Sequence, residues 1–227
     1  MSRILLLLTA LALLGIEQPL LAEEKVDLKR DLELWLPLQG GFRDFSKNHH
    51  IGEVMGNLRI EREGAYFDGE GDHILFPSFD FRDKPFAISM WIRSTGDFGN
   101  CGIIQQKSAN RKREWFHLVL RERMQPFFSF YVVSTMAKST LRNTDGWRHL
   151  VVQYSGNKSE IYVDGKLDVS RATPSFLGEG GKFVVGLTPK WSNVPSSDFE
   201  GYLSDFRVYK RALNKSEIRY LASMSSE

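Results

Sequence analysis

Asp145-Gly146-Trp147-Arg148-His149-Leu150-Val151-Val152-Gln153-Tyr154 decides the fold class, together with Ile161-Tyr162-Val163-Asp164-Gly165-Lys166, which follows a Ser155-Gly156-Asn157-Lys158 turn. Successive side chains of a β-strand point to opposite faces. Leu150, Val152 and Tyr154 therefore share one face, and Trp147, His149, Val151 and Gln153 share the other. Asp164-Gly165 supplies the positive φ angles that a two-residue hairpin turn requires. The stretch reads as antiparallel β-structure.

The same reading extends in both directions. Leu32 to Leu38 is a first apolar strand, ended by Pro37, and residues 39–57 read as loop, rich in Gly, Asn and His. Short strands are expected at Leu58–Ile60, Ala65–Phe67 and Ile74–Phe76. Phe86–Arg93 alternates cleanly, with Phe86, Ile88, Met90 and Ile92 on one face. Ile103–Gln106, Trp115–Leu120, Phe127–Val133, Ser139–Arg142, Phe183–Leu187 and Phe199–Tyr209 continue the pattern. One helix closes the chain: Asn214 caps it, Glu217 completes a capping box, and Ile218 and Leu221 share the face that packs on the sheets. About a dozen short strands, with no repeat and no linker, imply an all-β, two-sheet antiparallel sandwich.

Composition narrows the function classes. The chain has 227 residues, 42% of them hydrophobic, which is ample for one large core. A net charge of +2 gives no general attraction to nucleic acid. Residues 1–22 have the form of a signal peptide: Arg3, an apolar run from Ile4 to Leu14 too short to span a bilayer, and Leu20-Leu21-Ala22 before Glu23. Residues 23–31 are a polar lead-in, 32–223 the sandwich and 224–227 a tail. The mature chain is expected outside the cytoplasm, secreted or periplasmic, with no membrane span. Cys101 is the one cysteine, so no internal disulfide forms; it reads as a small buried hydrophobe.

Five blocks in order resemble one family. They are Leu34-Trp35-Leu36-Pro37-Leu38-Gln39-Gly40 with Asp44-Phe45-Ser46-Lys47-Asn48-His49-His50; Ala65-Tyr66-Phe67-Asp68-Gly69-Glu70-Gly71-Asp72-His73-Ile74; Phe86-Ala87-Ile88-Ser89-Met90-Trp91-Ile92; the opening hairpin; and Phe199-Glu200-Gly201-Tyr202-Leu203-Ser204-Asp205-Phe206-Arg207-Val208-Tyr209 running into the helix. The chain resembles a laminin G-like jelly-roll domain of the concanavalin A-like lectin/glucanase superfamily. That resemblance implies two antiparallel sheets packed face to face, and often a bound calcium ion. It departs from the family at Gln39, Arg148 and Ser204, where Asp, His and an acidic residue are usual. The pentraxin-like acidic loop after Gly186 is replaced by Leu187-Thr188-Pro189-Lys190.

Calcium needs six to eight oxygens, and Asp68, Asp72 and Asp205 are the expected ligands, weighed against ordinary turn-capping by Asp. The five histidines show no zinc-ligand spacing, and His149 reads as a packing residue. Sugar rings stack on aromatic faces; Trp115, Trp191, Tyr131 and Tyr154 offer platforms, with Trp191 and Asn193 in a polar loop favoured, whereas Trp35, Trp91 and Trp147 read as core or inter-sheet packing. Lys107, Arg111, Lys112 and Arg113 form a basic loop able to attract an anionic polysaccharide or acidic protein. The ligand-binding set is therefore Trp191, Asn193, Lys107, Arg111 and Arg113. No Glu-x-Asp-x-Glu string occurs for glycoside hydrolysis, no Gly-x-Ser-x-Gly elbow and no phosphate loop. The reading is a non-catalytic module binding extracellular polysaccharide or glycoprotein, against a protein-interaction or structural envelope module and a glycoside-acting enzyme.

Overall fold

The computed structural model describes residues 24–82, 84–96, 99–106, 116–130, 133–174, 180–188 and 197–224. Its strands, in chain order, are β1 Leu32–Leu36, β2 Glu53–Met55, β3 Arg59–Glu61, β4 Gly64–Asp68, β5 His73–Phe76, β6 Phe86–Ser94, β7 Cys101–Gln106 and β8 Phe116–Arg121. They continue with β9 Gln125–Phe130, β10 Val133–Met136, β11 Arg148–Tyr154, β12 Lys158–Val163, β13 Lys166–Ala172, β14 Phe183–Val185, β15 Ser197–Asp198 and β16 Glu200–Tyr209, before helix α1 Lys215–Ser223. One sheet runs β13-β12-β11-β6-β16-β4-β3 with β1 also on β16; the other runs β10-β9-β8-β7-β14-β5-β2 with β15 also on β7. This is the two-sheet sandwich that the alternation implied.

The inward faces are apolar and sealed. From the first sheet come Phe86, Ile88, Met90 and Ile92 of β6 and Leu150, Val152 and Tyr154 of β11. From the second come Ile104, Phe116, Leu118, Leu120, Phe128, Phe130, Phe183 and Val185. Aromatic rings join the two layers. Phe86 stacks on Phe81 at 4.5 Å and lies 5.1 Å from Phe116, with Phe128, Phe130 and Tyr154 within 6.3 Å. Offset and edge-on pairs of this kind add about 0.5–1.5 kcal/mol each beyond the area they bury. Tyr154 is fully buried here, its hydroxyl donating to the Gly156 carbonyl, so it is core and not a sugar platform.

Helix α1 covers part of the outer face of the first sheet. Ile218 and Leu221 pack with Ala87, Val151, Tyr162 and Tyr209. Asn214 and Glu217 form the expected capping box. Glu217 has a second role: its fully buried carboxylate receives two 2.7 Å bonds from the Arg211 guanidinium and one from the Asp27 amide, which ties lead-in, strand end and helix together.

β16 carries a bulge between Ser204 and Arg207, where Asp205 has φ 46°. The extra residue changes which side chains face inward, from Leu203 before it to Phe206 and Val208 after it. Several elements differ from the sequence reading, among them Phe127–Val133, read as one strand, where β9 ends at Phe130 and β10 begins at Val133. Ser139–Arg142 is not a strand: the Asp168 carboxylate captures the Lys138 and Ser139 amides, and the chain passes into a turn at Asn143–Asp145. β2 arises in a polar, exposed segment read as loop, with no alternation to announce it, and forms because β5 offers an open edge; β13, given no range in the sequence reading, is the strand into which the Asp164-Gly165 hairpin turn leads. β1 stops at Leu36, since Leu38 adopts φ 60°.

His149 is 1% exposed, bonded through Nε2 to Ser89 Oγ at 2.9 Å and set against Trp91. Burial, partly offset by Asp164, holds its ring well below the ordinary histidine range, at about 4. Unfolding frees it to titrate at about 6.5, so between those values the unfolded chain binds more protons and stability falls as pH falls. Urea midpoints measured from pH 7 to 4 should decline in the parent, and the decline should be shallower in His149→Gln. Equal slopes would exclude this histidine as a source of acid sensitivity.

Candidate functional site

The part of that outer face left open by α1 carries a cross-strand row. Arg59 of β3 pairs with Tyr66 of β4, Tyr66 with Tyr202 of β16, and Tyr202 with Arg93 of β6. Trp147, just before β11, extends it past Arg93. The Tyr66 and Tyr202 rings are 4.9 Å apart and Trp147 lies 6.3 Å from Tyr202. Arg93 sits over Tyr202 at 4.5 Å and Trp147 at 5.5 Å, and Arg59 over Tyr66 at 4.9 Å. Gly201 lets the strands meet, because a Cβ there would collide with the Arg93 carbonyl. Five positions at the inter-strand spacing span roughly 19 Å.

The row's charges are locally balanced. Arg93 pairs with Glu63 and Arg59 with Glu61 at 3.6 Å, while the Tyr202 hydroxyl donates to Glu61 at 2.9 Å. Burial and that bond raise the Tyr202 phenol above its usual value, so it stays a neutral donor. Beside it, Arg93, Ser94, Thr95, Thr144 and Tyr202 line an open depression of about 520 Å³. Half-exposed ring faces flanked by hydroxyls, guanidiniums and carboxylates are the groups that hold sugars: rings against C–H faces, polar edges against hydroxyls.

Trp191, Asn193, Lys107, Arg111 and Arg113 lie outside the described residues, as do Lys112, Trp115, Tyr131 and the signal-like residues 1–22. Trp35, Trp91 and Trp147 are half-buried on the outer face, not between the sheets. Asp68 and Asp72 come together at one turn, where Asp72 accepts from the Asn57 and Asp68 amides and Asp68 accepts from the Glu70 amide. Asp205 does not join them. Its carboxylate binds the Trp35 indole at 2.7 Å and Arg207 at 2.9 Å, five residues along β16 from the partner of Asp68, or about 16 Å. Among the described residues no three His, Cys, Asp or Glu side chains are grouped to hold a metal.

A different acidic set lines one pocket of about 260 Å³: Asp68, Glu70, Asp198 and Glu200, beside Cys101 and Met124. Burial pushes the Cys101 thiol up to about 12, which makes it inert as a nucleophile. Among the described residues no helix is long and apolar enough to cross a membrane.

A family model described as Laminin_G_3, concanavalin A-like lectin/glucanases superfamily, matches residues 68–219. The chain belongs to this family. Solved structures share its fold at low identity. The binding domain of Paraclostridial Mosquitocidal Protein 1 is 19% identical with TM-score 0.70, over 86% of this chain and 52% of that one. The binding domain of botulinum neurotoxin DC in complex with rat synaptotagmin II is 15% identical with TM-score 0.68, over 86% and 52%. Domain 4 of AbnA, a GH43 extracellular arabinanase from Geobacillus stearothermophilus, in complex with arabinotriose, is 19% identical with TM-score 0.62, over 85% and 98%. The chain thus spans about half the length of the toxin binding domains and nearly all of the arabinanase domain. No curated protein matches it.

The turn at Asp72 is self-sufficient, its carboxylate oxygens already directed at amide N–H groups. The expected melting temperature is therefore the same with chelator as with millimolar calcium. A rise with calcium, lost in Asp68→Asn, would instead establish a structural calcium ion at that turn.

Proposed function

We propose that this chain is a non-catalytic binding module of an exported protein, and that it holds an extracellular polysaccharide or glycoprotein glycan along the Trp147–Arg93–Tyr202–Tyr66–Arg59 row. The observation that carries the reading is that these rings form a continuous half-exposed stripe on a sheet, away from the core. A rigid sheet fixes their spacing before ligand arrives, so little ordering entropy is lost on binding. Local balance of the arginines by Glu61 and Glu63 favours a neutral glycan over a polyanion. Neighbouring folds that are binding domains, and one in complex with arabinotriose, support a binding role. Export rests on the signal-like segment.

The carboxylate-lined pocket favours a second reading, a glycoside-acting enzyme. Hydrolysis there would use two of Asp68, Asp198 and Glu200 as acid and base. That reading requires turnover of a polysaccharide and its loss in at least two of Asp68→Asn, Asp198→Asn and Glu200→Gln.

Tyr202→Ala should weaken glycan binding about 30-fold, as removal of a central aromatic anchor costs about 2 kcal/mol. The measurement is titration with whichever neutral oligosaccharide scores on a glycan array, with an unchanged melting temperature as the folding control. Silence across neutral and anionic glycans would sink the glycan reading and leave the protein-interaction module.

A further inference from the structure

A second opening lies on the same sheet where β1 pairs with β16, further along that strand than Tyr202 and the aromatic row. It is a cleft of about 490 Å³ lined by Leu28, Lys29, Leu32, Trp35, Phe45, Ser46, Lys47, His49 and Arg207. Its floor is aromatic, with Trp35 and Phe45 edge to face at 5.9 Å. Phe45 is 56% exposed, unusual for so large an apolar ring.

That exposure is imposed by a rigid frame. The buried Asp44 carboxylate accepts from the Trp35, Ser46 and His50 amides at 2.9, 2.7 and 2.8 Å and from the Ser46 hydroxyl at 2.8 Å. The Phe45 amide donates to the Trp35 carbonyl at 2.8 Å. With Asp44 and Ser46 turned inward on both sides, Phe45 is held out over the cleft, and Lys47 follows on the same exposed side.

The charged side chains that line the mouth are cationic, and the neighbouring Asp27 carboxylate accepts from the Lys29 and Arg30 amides. Lys29 and Lys47 are exposed, and neither has a carboxylate within ion-pair distance among the described residues. The other cation, Arg207, is neutralised by Asp205 and stacks on Trp35 at 4.6 Å. An aromatic floor under two free ammonium groups suits a ligand with an apolar ring face and a negative group at its edge.

We propose that this cleft binds a sugar unit that carries a carboxylate. The pyranose C–H face lies on Phe45 and the edge of Trp35, and the carboxylate meets Lys29 and Lys47. The Asp205 carboxylate already accepts from the indole N–H, so Trp35 contributes its ring and no hydrogen bond to the ligand. The site is separate from the Tyr66–Tyr202 row and does not depend on the reading given to that row.

The test titrates the full protein with a short oligogalacturonate and with its methyl ester, which has the same rings and no charge. Binding is followed by amide and indole chemical shifts and by calorimetry. The free acid should perturb Trp35, Phe45, Lys47 and His49, with the ester at least tenfold weaker. Phe45→Ala and the double change Lys29→Glu, Lys47→Glu should each lower affinity at least tenfold, and 0.5 M salt should lower it similarly. Tyr202→Ala should leave it unchanged, which separates failure here from failure of the row. Phe45 and both lysines are exposed, so the variants should fold; matching melting temperatures check this. Equal binding of acid and ester, equal displacement by poly-glutamate, or shifts confined to residues outside the cleft would each overturn the proposal.

Discussion

The sandwich depends on one ring. Phe86 begins the central strand β6 and reaches across to Phe81, Phe116, Phe128 and Phe130, which places a single side chain in contact with both layers. Aromatic packing is short-ranged and geometrically demanding, so this cluster sets both sheet separation and lateral register. Because β6 lies between β11 and β16, its position also fixes where Trp147, Tyr202 and Arg93 meet on the opposite surface. The surface chemistry is therefore positioned from within.

Much of this architecture is legible in the sequence because strand alternation and turn chemistry are local. The Trp147–Tyr154 run, the Asp164-Gly165 turn and the Asn214–Glu217 box each declare themselves within ten residues. β2 does not, since its stability comes from its partner β5 and not from its own pattern. Ser139–Arg142 misleads in the opposite way: its composition permits a strand, but a carboxylate from Asp168, distant in sequence, takes its amides.

The aromatic row illustrates a stricter limit. Residues 59, 66, 93, 147 and 202 are neighbours only because five strands, β3, β4, β16, β6 and β11, pair in one register, and register between distant strands is not written in any short window. One signal was available. Tyr66 and Tyr202 each alternate with an inward apolar neighbour, Phe67 and Leu203, which marks them as outward-facing within strands expected from sequence. Bulky rings on the outward face of a strand carry more information than rings in loops, since the sheet leaves them nowhere to fold back.

The bulge at Asp205 gives β16 two phases. Tyr202 and Arg207 are of opposite parity, yet both serve the outer face, one within the row and the other against Trp35. A regular strand would have sent one of them into the core. The single inserted residue thus acts as a frame shift in side-chain direction, and divides one strand into two segments, each with its own rule for which positions see solvent. Sequence change on either side can proceed under that local rule, so the two surfaces are free to diversify independently while sharing one backbone.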